Sequence, residues 1–257
     1  MLIVERQQRL LEMLREAQTA TLEAMSDALG VSGSTVRRDL ETLEQQGLIE
    51  RTHGGAIYRG PHHHSLVFAE RMHEHPAAKQ AIGAYAAELV EPQMTVCLDG
   101  GSTVYYAARQ IEARPIQVVT NSLSIANLFT DDEKVELLFV GGNLYPRTGV
   151  MLGPIATSAL ATLHADLLLF SLAGIHDDEA FNQNIAMAEV EQTMMRQAAR
   201  SVLLMDSRKF GRKSLARVCH VSDVDLVVSD AGVSDRWVKA MGDRLVAVDV
   251  PENGNGV

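Results

Sequence analysis

Five short polar segments follow runs of apolar residues, and their side chains are of the kinds that bind small anions and hydroxyl groups. They are DGGST (99–103), TNS (120–122), GGN (141–143), AG (173–174) and DSRK (206–209). If the apolar runs are strands of one parallel sheet, the segments meet at its carboxyl edge, where α/β sheets bind ligands. Adjacent glycines allow close backbone approach, and Ser-Thr at the start of a helix leaves N–H groups free for an anion.

These segments predict a site for a small polar ligand that carries a phosphate group. Any one segment is equally typical of a turn or a helix cap, and it is the convergence of five that favours a ligand site. The candidate ligand-binding residues are Asp99, Gly100, Gly101, Ser102, Thr103, Thr120, Asn121, Ser122, Gly141, Gly142, Gly174, Asp206 and Lys209.

A second candidate site lies in VSGSTVRRDLETLEQQGLIERTHGG, residues 31–55. At roughly 100° per residue, Val36, Leu40 and Leu43 share one face of a helix, whereas Ser34 and Arg38 point nearly opposite. A helix whose first turns present hydroxyl and guanidinium groups outward suits the major groove of DNA, where Arg can contact guanine. The pattern therefore predicts a recognition helix.

Two β-prone runs around Gly54 follow this helix and predict a hairpin, the wing of a winged helix, with Arg51, His53 and Arg59 along it. The candidate DNA-binding residues are Ser32, Ser34, Thr35, Arg37, Arg38, Arg51, His53 and Gly54. The alternative is a small protein-interaction domain in which the two adjacent arginines only form ion pairs with neighbouring acids, namely Asp39, Glu41 or Glu44.

Two further amphipathic segments must position the recognition helix. Gly30 is placed to end the second segment and Ser32 to cap the third, which gives helix, short turn, helix. Residues 1–59 are therefore predicted to form an α+β winged helix-turn-helix domain. The apolar residues that mark the first two helices are Leu10, Leu11, Leu14, Leu22, Met25 and Leu29.

Residues 79–250 alternate strand-like and helix-like segments, as a three-layer α/β domain with a mostly parallel sheet does. Residues 60–78 are predicted to be a linker and 251–257 a disordered tail. The linker contains His62, His63, His64, His73 and His75. Because no cysteine accompanies them, a solvated linker is favoured over a metal site. The predicted strands are 95–99, 116–121, 135–142, 166–174, 201–206, 225–230 and 244–250.

The net charge of −10 argues against a protein that coats nucleic acid through bulk electrostatics. Any DNA binding must be local, since the first 57 residues hold nine acidic against six basic side chains. No apolar run is long enough to span a membrane, and Glu5 comes too early for a signal peptide. A cytoplasmic location is expected, with Cys97 and Cys219 as buried free thiols.

The segment TVRRDLETLEQQGLIERTHGGA resembles the N-terminal signature of DeoR-type bacterial transcription regulators, and the polar segments at 99–103, 120–123, 141–144 and 206–210 resemble motifs of the same family. The resemblance implies operator recognition and a sensor domain related in fold to ribose-5-phosphate isomerase. It also implies that Gly101, Ser102 and Thr103 hold the phosphate of a sugar derivative, with Lys209 adding its charge.

Two departures from the family pattern stand out. Arg208 occupies a position where Ser or Thr is usual, and the helix expected to carry an acid reads AEVEQTMM, in which Glu189 is assigned as the ligand-facing acid. The departures bear on the identity of the sugar, not on its class. A repressor of a carbohydrate-catabolism operon, released by a phosphorylated sugar, is expected.

The expected partners are double-stranded operator DNA, the sugar-phosphate effector and further copies of the chain in a homodimer or homotetramer, since two-fold symmetry matches inverted half-sites. Neither a cofactor nor a membrane partner is expected. The alternative function is a sugar-phosphate isomerase or deaminase with an added DNA-binding domain. It is disfavoured because no acid and base pair at a convincing spacing.

Overall fold

The computed structural model describes residues 3–17, 19–45, 48–52, 54–58 and 68–251. The chain divides into two compact units, Met1–Ser65 and Leu66–Val257. Among the sequence-based predictions, those on His53, Arg59, the three histidines at 62–64 and the tail 252–257 lie outside the described residues.

The first unit contains three helices and a three-stranded antiparallel sheet with the strand order β1-β3-β2. This is the predicted winged helix-turn-helix fold, with one strand that the sequence analysis lacks: β1 has only three residues. Its elements are α1 (Ile3–Ala17), β1 (Thr19–Thr21), α2 (Leu22–Leu29), α3 (Gly33–Gln45), β2 (Ile49–Thr52) and β3 (Gly55–Tyr58).

Most of the apolar residues predicted to face inward form the core of this unit, and Leu11, Leu22 and Leu29 are partly buried against it. Gly30 closes α2 in the left-handed conformation at φ 63°, which favours glycine. Ser32 precedes α3, and its Oγ accepts a hydrogen bond from Thr35 N at 3.3 Å. The buried core residues are Leu10, Leu14, Met25, Val36, Leu40, Leu43, Ile49, Ala56 and Tyr58.

An ion pair that the sequence does not reveal ties α1 to α3. Asp39 is only 3% exposed and accepts hydrogen bonds from Arg6 Nε at 2.5 Å and Nη2 at 3.2 Å. Gln7 Nε2 donates to the same carboxylate at 3.2 Å. This two-point contact fixes the rotation of α3 and hence which of its side chains face outward.

The second unit is built on a seven-stranded sheet in which every neighbouring pair is parallel, with the order β15-β14-β12-β9-β4-β5-β6. All seven predicted strands are present. They are β4 (Thr95–Leu98), β5 (Ile116–Thr120), β6 (Val135–Phe139), β9 (Ala165–Phe170), β12 (Ala198–Leu204), β14 (Leu226–Asp230) and β15 (Leu245–Val248).

Helices cover both faces of this sheet, as a three-layer fold requires. Alternate strand residues such as Leu167 and Leu168 point to opposite faces and join two separate apolar clusters. Helices α5 (Pro76–Ala87), α6 (Ser102–Ala108) and α7 (Leu123–Ala126) cover one face, and α8 (Pro154–Leu160), α9 (Ile185–Arg196) and α10 (Asp235–Met241) cover the other. The α/β class predicted from the sequence is confirmed.

Short elements complete the unit and were not predicted. A hairpin consists of β7 (Asn143–Tyr145) and β8 (Val150–Leu152), and a second small sheet has the order β10-β11-β13. Its strands are β10 (Gly174–His176), β11 (Glu179–Asn182) and β13 (Ala216–His220). Helix α4 (Phe68–His73) and the start of α5 occupy residues that the sequence analysis assigned to the linker. No described helix is both long and apolar enough to cross a bilayer.

The two glycines of the wing turn provide a stability test. A Cβ on Gly55 would overlap the backbone of Ala20 in β1, whereas one on Gly54 would meet nothing within 4 Å. We expect Gly55→Ala to weaken the β1–β3 pairing by about 1–3 kcal/mol, the usual cost of overpacking, and Gly54→Ala to leave it unchanged. Hydrogen exchange of the amides in β1 and β3 measures this. Equal exchange in the two variants would contradict the close packing of β1 on β3.

Candidate functional sites

The start of α3 presents a group of hydroxyls. Ser32 Oγ lies 2.9 Å from both Ser34 Oγ and Thr35 Oγ1. Ser32 and Ser34 are exposed. Together with the free N–H groups of the first helical turn, these hydroxyls can donate hydrogen bonds to phosphate oxygens. The structure therefore brings the three predicted hydroxyl residues together at one helix end.

Arg37 and Arg38 are exposed, and among the described residues neither forms an ion pair. The acids that the protein-interaction alternative assigned to them are occupied by other arginines. Asp39 pairs with Arg6, and Glu41 and Glu44 pair with Arg51. The guanidinium groups of α3 are therefore available to a ligand outside the unit.

Arg51, a predicted DNA-binding residue, forms ion pairs within the first unit. Its backbone N and Nε donate to the carboxylate of Glu44 at 3.0 and 2.8 Å, and its Nη1 donates to Glu41 at 2.9 Å. These hydrogen bonds lower the pKa of Glu44 and raise that of Arg51. Two carboxylates surround this guanidinium, so Arg51 joins β2 to α3 instead of presenting a free charge. Gly54 is exposed at the tip of the wing.

In the second unit, Asp99 ends β4 and is buried at the carboxyl edge of the large sheet. Burial raises the pKa of its carboxyl group, although backbone N–H groups of Gly100 and Ser171 donate to it. The two glycines that follow are required by packing. A Cβ on Gly100 would overlap Val150, and one on Gly101 would lie 2.6 Å from Ser171 Cβ. Ser102 and Thr103 then begin α6, and both are buried.

The loop after β5 has a mixed role. Thr120 Oγ1 donates to Leu98 O at 2.7 Å and accepts from Ser122 N at 3.1 Å, and Ser122 Oγ caps α7. These two hydroxyls therefore hold neighbouring strands and a helix in place. Asn121 is different, because its Nδ2 donates to Met151 O at 3.0 Å while its buried Oδ1 has no partner among the described residues.

The loop after β12 contributes a lysine and an aspartate. Lys209 Nζ donates to Ser171 Oγ at 3.2 Å and to Leu172 O at 2.8 Å, and burial lowers its pKa to about 8. Asp206 is buried and accepts a hydrogen bond from Arg208 Nε at 2.9 Å. The arginine that departs from the family pattern thus forms an ion pair with the predicted ligand-binding acid.

Three charged residues at the carboxyl edge of the large sheet, Arg71, Lys79 and Glu191, were not among the predicted site residues. Arg71 of α4 interacts electrostatically with Asp99 and Glu191, and Lys79 of α5 interacts with Lys209 and Asp206. Burial lowers the pKa of Lys79 to about 8. We call the following residues the edge cluster: Arg71, Lys79, Asp99, Gly100, Gly101, Ser102, Thr103, Asn121, Glu191, Asp206 and Lys209.

The acid that α9 contributes is Glu191, which corrects the assignment to Glu189. Glu189 is exposed, whereas Glu191 is 1% exposed and accepts a hydrogen bond from Asn182 Nδ2. Two residues along a helix turn a side chain by about 200°, so the two glutamates face opposite sides. Burial, reinforced by Asp99, raises the pKa of Glu191 well above its usual range. Met187, Val190 and Met194 lie at helical spacing on the buried face of α9, and Glu191 falls on the same face. This spacing could have identified Glu191 as the buried acid from the sequence.

The remaining predicted glycines serve packing or lie apart from the edge cluster. Gly142, at φ 155°, faces Leu152 O, and a Cβ on Gly174 would overlap the backbone of Arg212. Gly141 is exposed, with open space where a Cβ would lie. Of the five linker histidines, His73 and His75 are described and exposed, and no group of three or more metal-ligating side chains occurs in the described part of the chain.

Comparison with protein families matches both units. Residues 6–61 match a DeoR-like helix-turn-helix domain, and residues 74–231 match a DeoR C terminal sensor domain. Among solved structures, ribose 5-phosphate isomerase A from Methanocaldococcus jannaschii aligns with 51% of this chain and 53% of that chain, at 17% identity and a TM-score of 0.37.

Several curated proteins are similar along most of their length. The L-fucose operon activator of Escherichia coli (strain K12) is 37% identical over 88% of this chain and 94% of its own. The regulator GlpR of Haloferax volcanii is 32% identical (90% and 91%), and the repressor GlcR of Bacillus subtilis (strain 168) is 30% identical (98% and 98%). With relatives of this extent and a family match on each unit, the chain belongs to the DeoR family of helix-turn-helix regulators.

Proposed function

We propose that this protein is a transcription regulator of a carbohydrate operon, and that a phosphorylated sugar controls its affinity for operator DNA. The observation that carries the proposal is the pairing of two sites in one chain. One unit exposes two arginines on α3 that form no ion pair with any described residue. The other unit buries polar atoms that lack a hydrogen-bond partner in the described chain, and these lie among charged residues. Such a chain can bind DNA through the first unit and a small ligand through the second.

The edge cluster supports a ligand that is both anionic and rich in hydroxyl groups. Three cations, Arg71, Lys79 and Lys209, favour an anion, and the backbone N–H groups at the start of α6 add donors. The acids Asp99 and Asp206 and the free Oδ1 of Asn121 offer acceptors to sugar hydroxyls. A phosphorylated sugar supplies both kinds of group.

The proposed direction of control is repression that the effector relieves. Arg37 and Arg38 are exposed on α3, so this helix can contact DNA. The relatives include a repressor, GlcR, and an operon activator. A homodimer or homotetramer would place two recognition helices on inverted half-sites one helical turn apart.

The enzyme alternative finds no support among the relatives, which are named as regulators. The carboxylate of Asp99 already accepts backbone hydrogen bonds and is fixed in the protein. We propose that the second unit binds its sugar phosphate without turnover. Product analysis of sugar phosphates incubated with the protein distinguishes the two, because isomerisation or deamination would yield a new compound.

The recognition helix can be tested by substituting an exposed arginine. We expect Arg38→Ala to weaken binding to the DNA upstream of its own gene by about 1–3 kcal/mol, because one base-contacting guanidinium is lost. Fluorescence anisotropy with labelled DNA measures the change. Arg9→Ala, which removes an exposed arginine of α1, is the matched control and should retain wild-type affinity. Equal affinity of both variants would argue against α3 as the recognition helix.

The lysines of the edge cluster predict a pH dependence of effector binding. The pKa values of Lys79 and Lys209 are lowered to about 8, so both ammonium groups lose their charge between pH 7 and pH 9. A phosphate ester is dianionic throughout this range, since its second pKa is about 6. An anion binds the protonated lysine, so binding takes up protons and affinity falls about tenfold per lysine from pH 7 to pH 9.

Isothermal titration calorimetry with the ester that most affects DNA binding measures this profile. Lys134→Met removes an exposed lysine outside the edge cluster and should leave the profile unchanged. Affinity that is constant from pH 7 to pH 9 would show that neither buried lysine pairs with the anion.

A further inference from the structure

Helix α4 is attached to the second unit by a small number of contacts. Phe68 N donates to Arg147 O at 2.9 Å, and the Phe68 ring meets the Tyr105 ring edge-on at 5.8 Å. Tyr106 Oη donates to Met72 O at 3.2 Å, and Lys79 Nζ donates to Arg71 O. A helix of six residues has little intrinsic stability, so these contacts must hold it in place.

Arg71 opposes this attachment. The residue is half-buried, but its Nε and Nη2 are fully buried and have no hydrogen-bond partner among the described residues. Burial lowers the pKa of its guanidinium group, and the acids Asp99, Glu74 and Glu191 act on it electrostatically. Lys79 brings a second cation to the backbone of the same residue. A buried cation that lacks a partner is unfavourable.

An anionic ligand would reverse this balance. Two adjacent N–H donors of a guanidinium group match two oxygens of a phosphate or carboxylate, which gives a directed two-point contact. Asn121 Oδ1 and Thr103 Oγ1 are also buried and have no hydrogen-bond partner within the described part of the chain. Thr103 follows β4 and Asn121 follows β5, so both lie at the carboxyl edge of the large sheet. A ligand that satisfies them favours the state in which α4 is docked.

We propose that Arg71 binds the anionic group of the effector and that this contact locks α4 onto the second unit, which makes α4 the element that reports effector occupancy to the DNA-binding unit. The proposal rests on the proposed function and assigns its regulation to one helix. The other members of the edge cluster lie further along the chain, on α5 or around the large sheet. Helix α4 is the first described element of the second unit. The chain that leaves the first unit therefore passes through α4 before it reaches the other members of the edge cluster.

The consequence is an order–disorder equilibrium of α4 that the ligand biases. When α4 is docked, the ordered part of the second unit includes residues 68–73, and when it is released, that part begins with α5 at residue 76.

Hydrogen exchange of the full chain, detected by mass spectrometry, tests the proposal without a ligand. Arg71→Met removes the buried charge while retaining a long apolar stem, so we expect amide exchange over residues 68–73 to slow several-fold. Arg71→Lys, which keeps the charge, should exchange like the wild type. Glu70→Gln changes an exposed residue of the same helix and is the control. Unchanged or faster exchange in Arg71→Met, with native exchange elsewhere, would overturn the proposal.

A second arm uses inorganic phosphate as the probe. Added phosphate should slow exchange of α4 in the wild type but not in Arg71→Met, and no slowing in the wild type would refute the anion lock. The third arm compares the effect of sugar phosphates on operator binding. We expect a shift of about 5- to 150-fold in the wild type, as is usual for allosteric coupling, and less than about twofold in Arg71→Met.

The arms separate the two claims. If an ester weakens operator binding equally in the wild type and in Arg71→Met, the function stands and the role of α4 is wrong. If no ester affects the wild type, the proposed function fails, whatever the exchange of α4 shows.

Discussion

Three cations and three acids, all buried or half-buried, lie together at the carboxyl edge of the large parallel sheet, and the second unit depends on their compensation. Burying an ion costs several kcal/mol unless opposite charges and hydrogen bonds offset the lost hydration. Lys209 has two hydrogen-bond acceptors and Asp206 has Arg208, but two nitrogens of Arg71 have no hydrogen-bond partner among the described residues. These unpaired donors at a charged edge support the proposal that it binds a polar ligand.

The first unit uses charge differently. Its acids outnumber its basic residues, yet the structure engages the acids nearest the recognition helix with other arginines. Arg6 binds Asp39 on the inner side of α3, and Arg51 binds Glu41 and Glu44 further along. Arg37 and Arg38 are left as a local positive surface on an acidic protein. The salt dependence of DNA binding scales with the number of phosphates contacted, so a small positive surface gives a shallower dependence than an extended basic one.

Much of this arrangement could be predicted from the sequence, because apolar periodicity reports which face of an element is buried. The seven strands and the three helices of the first unit follow directly from it. Contacts between polar side chains of different elements could not be predicted in this way. Arg51 lies in the wing strand β2 as expected, but its ion pairs with Glu41 and Glu44 of α3 depend on the fold. Arg71 lies in a helix too short for a periodic signal. Similarity to the family motif led to Glu189 as the ligand-facing acid. The helical spacing of the apolar residues around Glu191 favours Glu191 instead.

The central claim is that one chain couples a DNA-binding surface to a sugar-phosphate site. The most direct test is a titration of the purified protein against the DNA upstream of its own gene at fixed salt, with a panel of sugar phosphates and the matched unphosphorylated sugars. The account predicts tight binding by the free protein and a specific loss of affinity with one phosphate ester, while the corresponding free sugar has no effect. Operator binding that no ester changes would contradict the coupling, and an equal effect of a sugar and its ester would contradict an anion site.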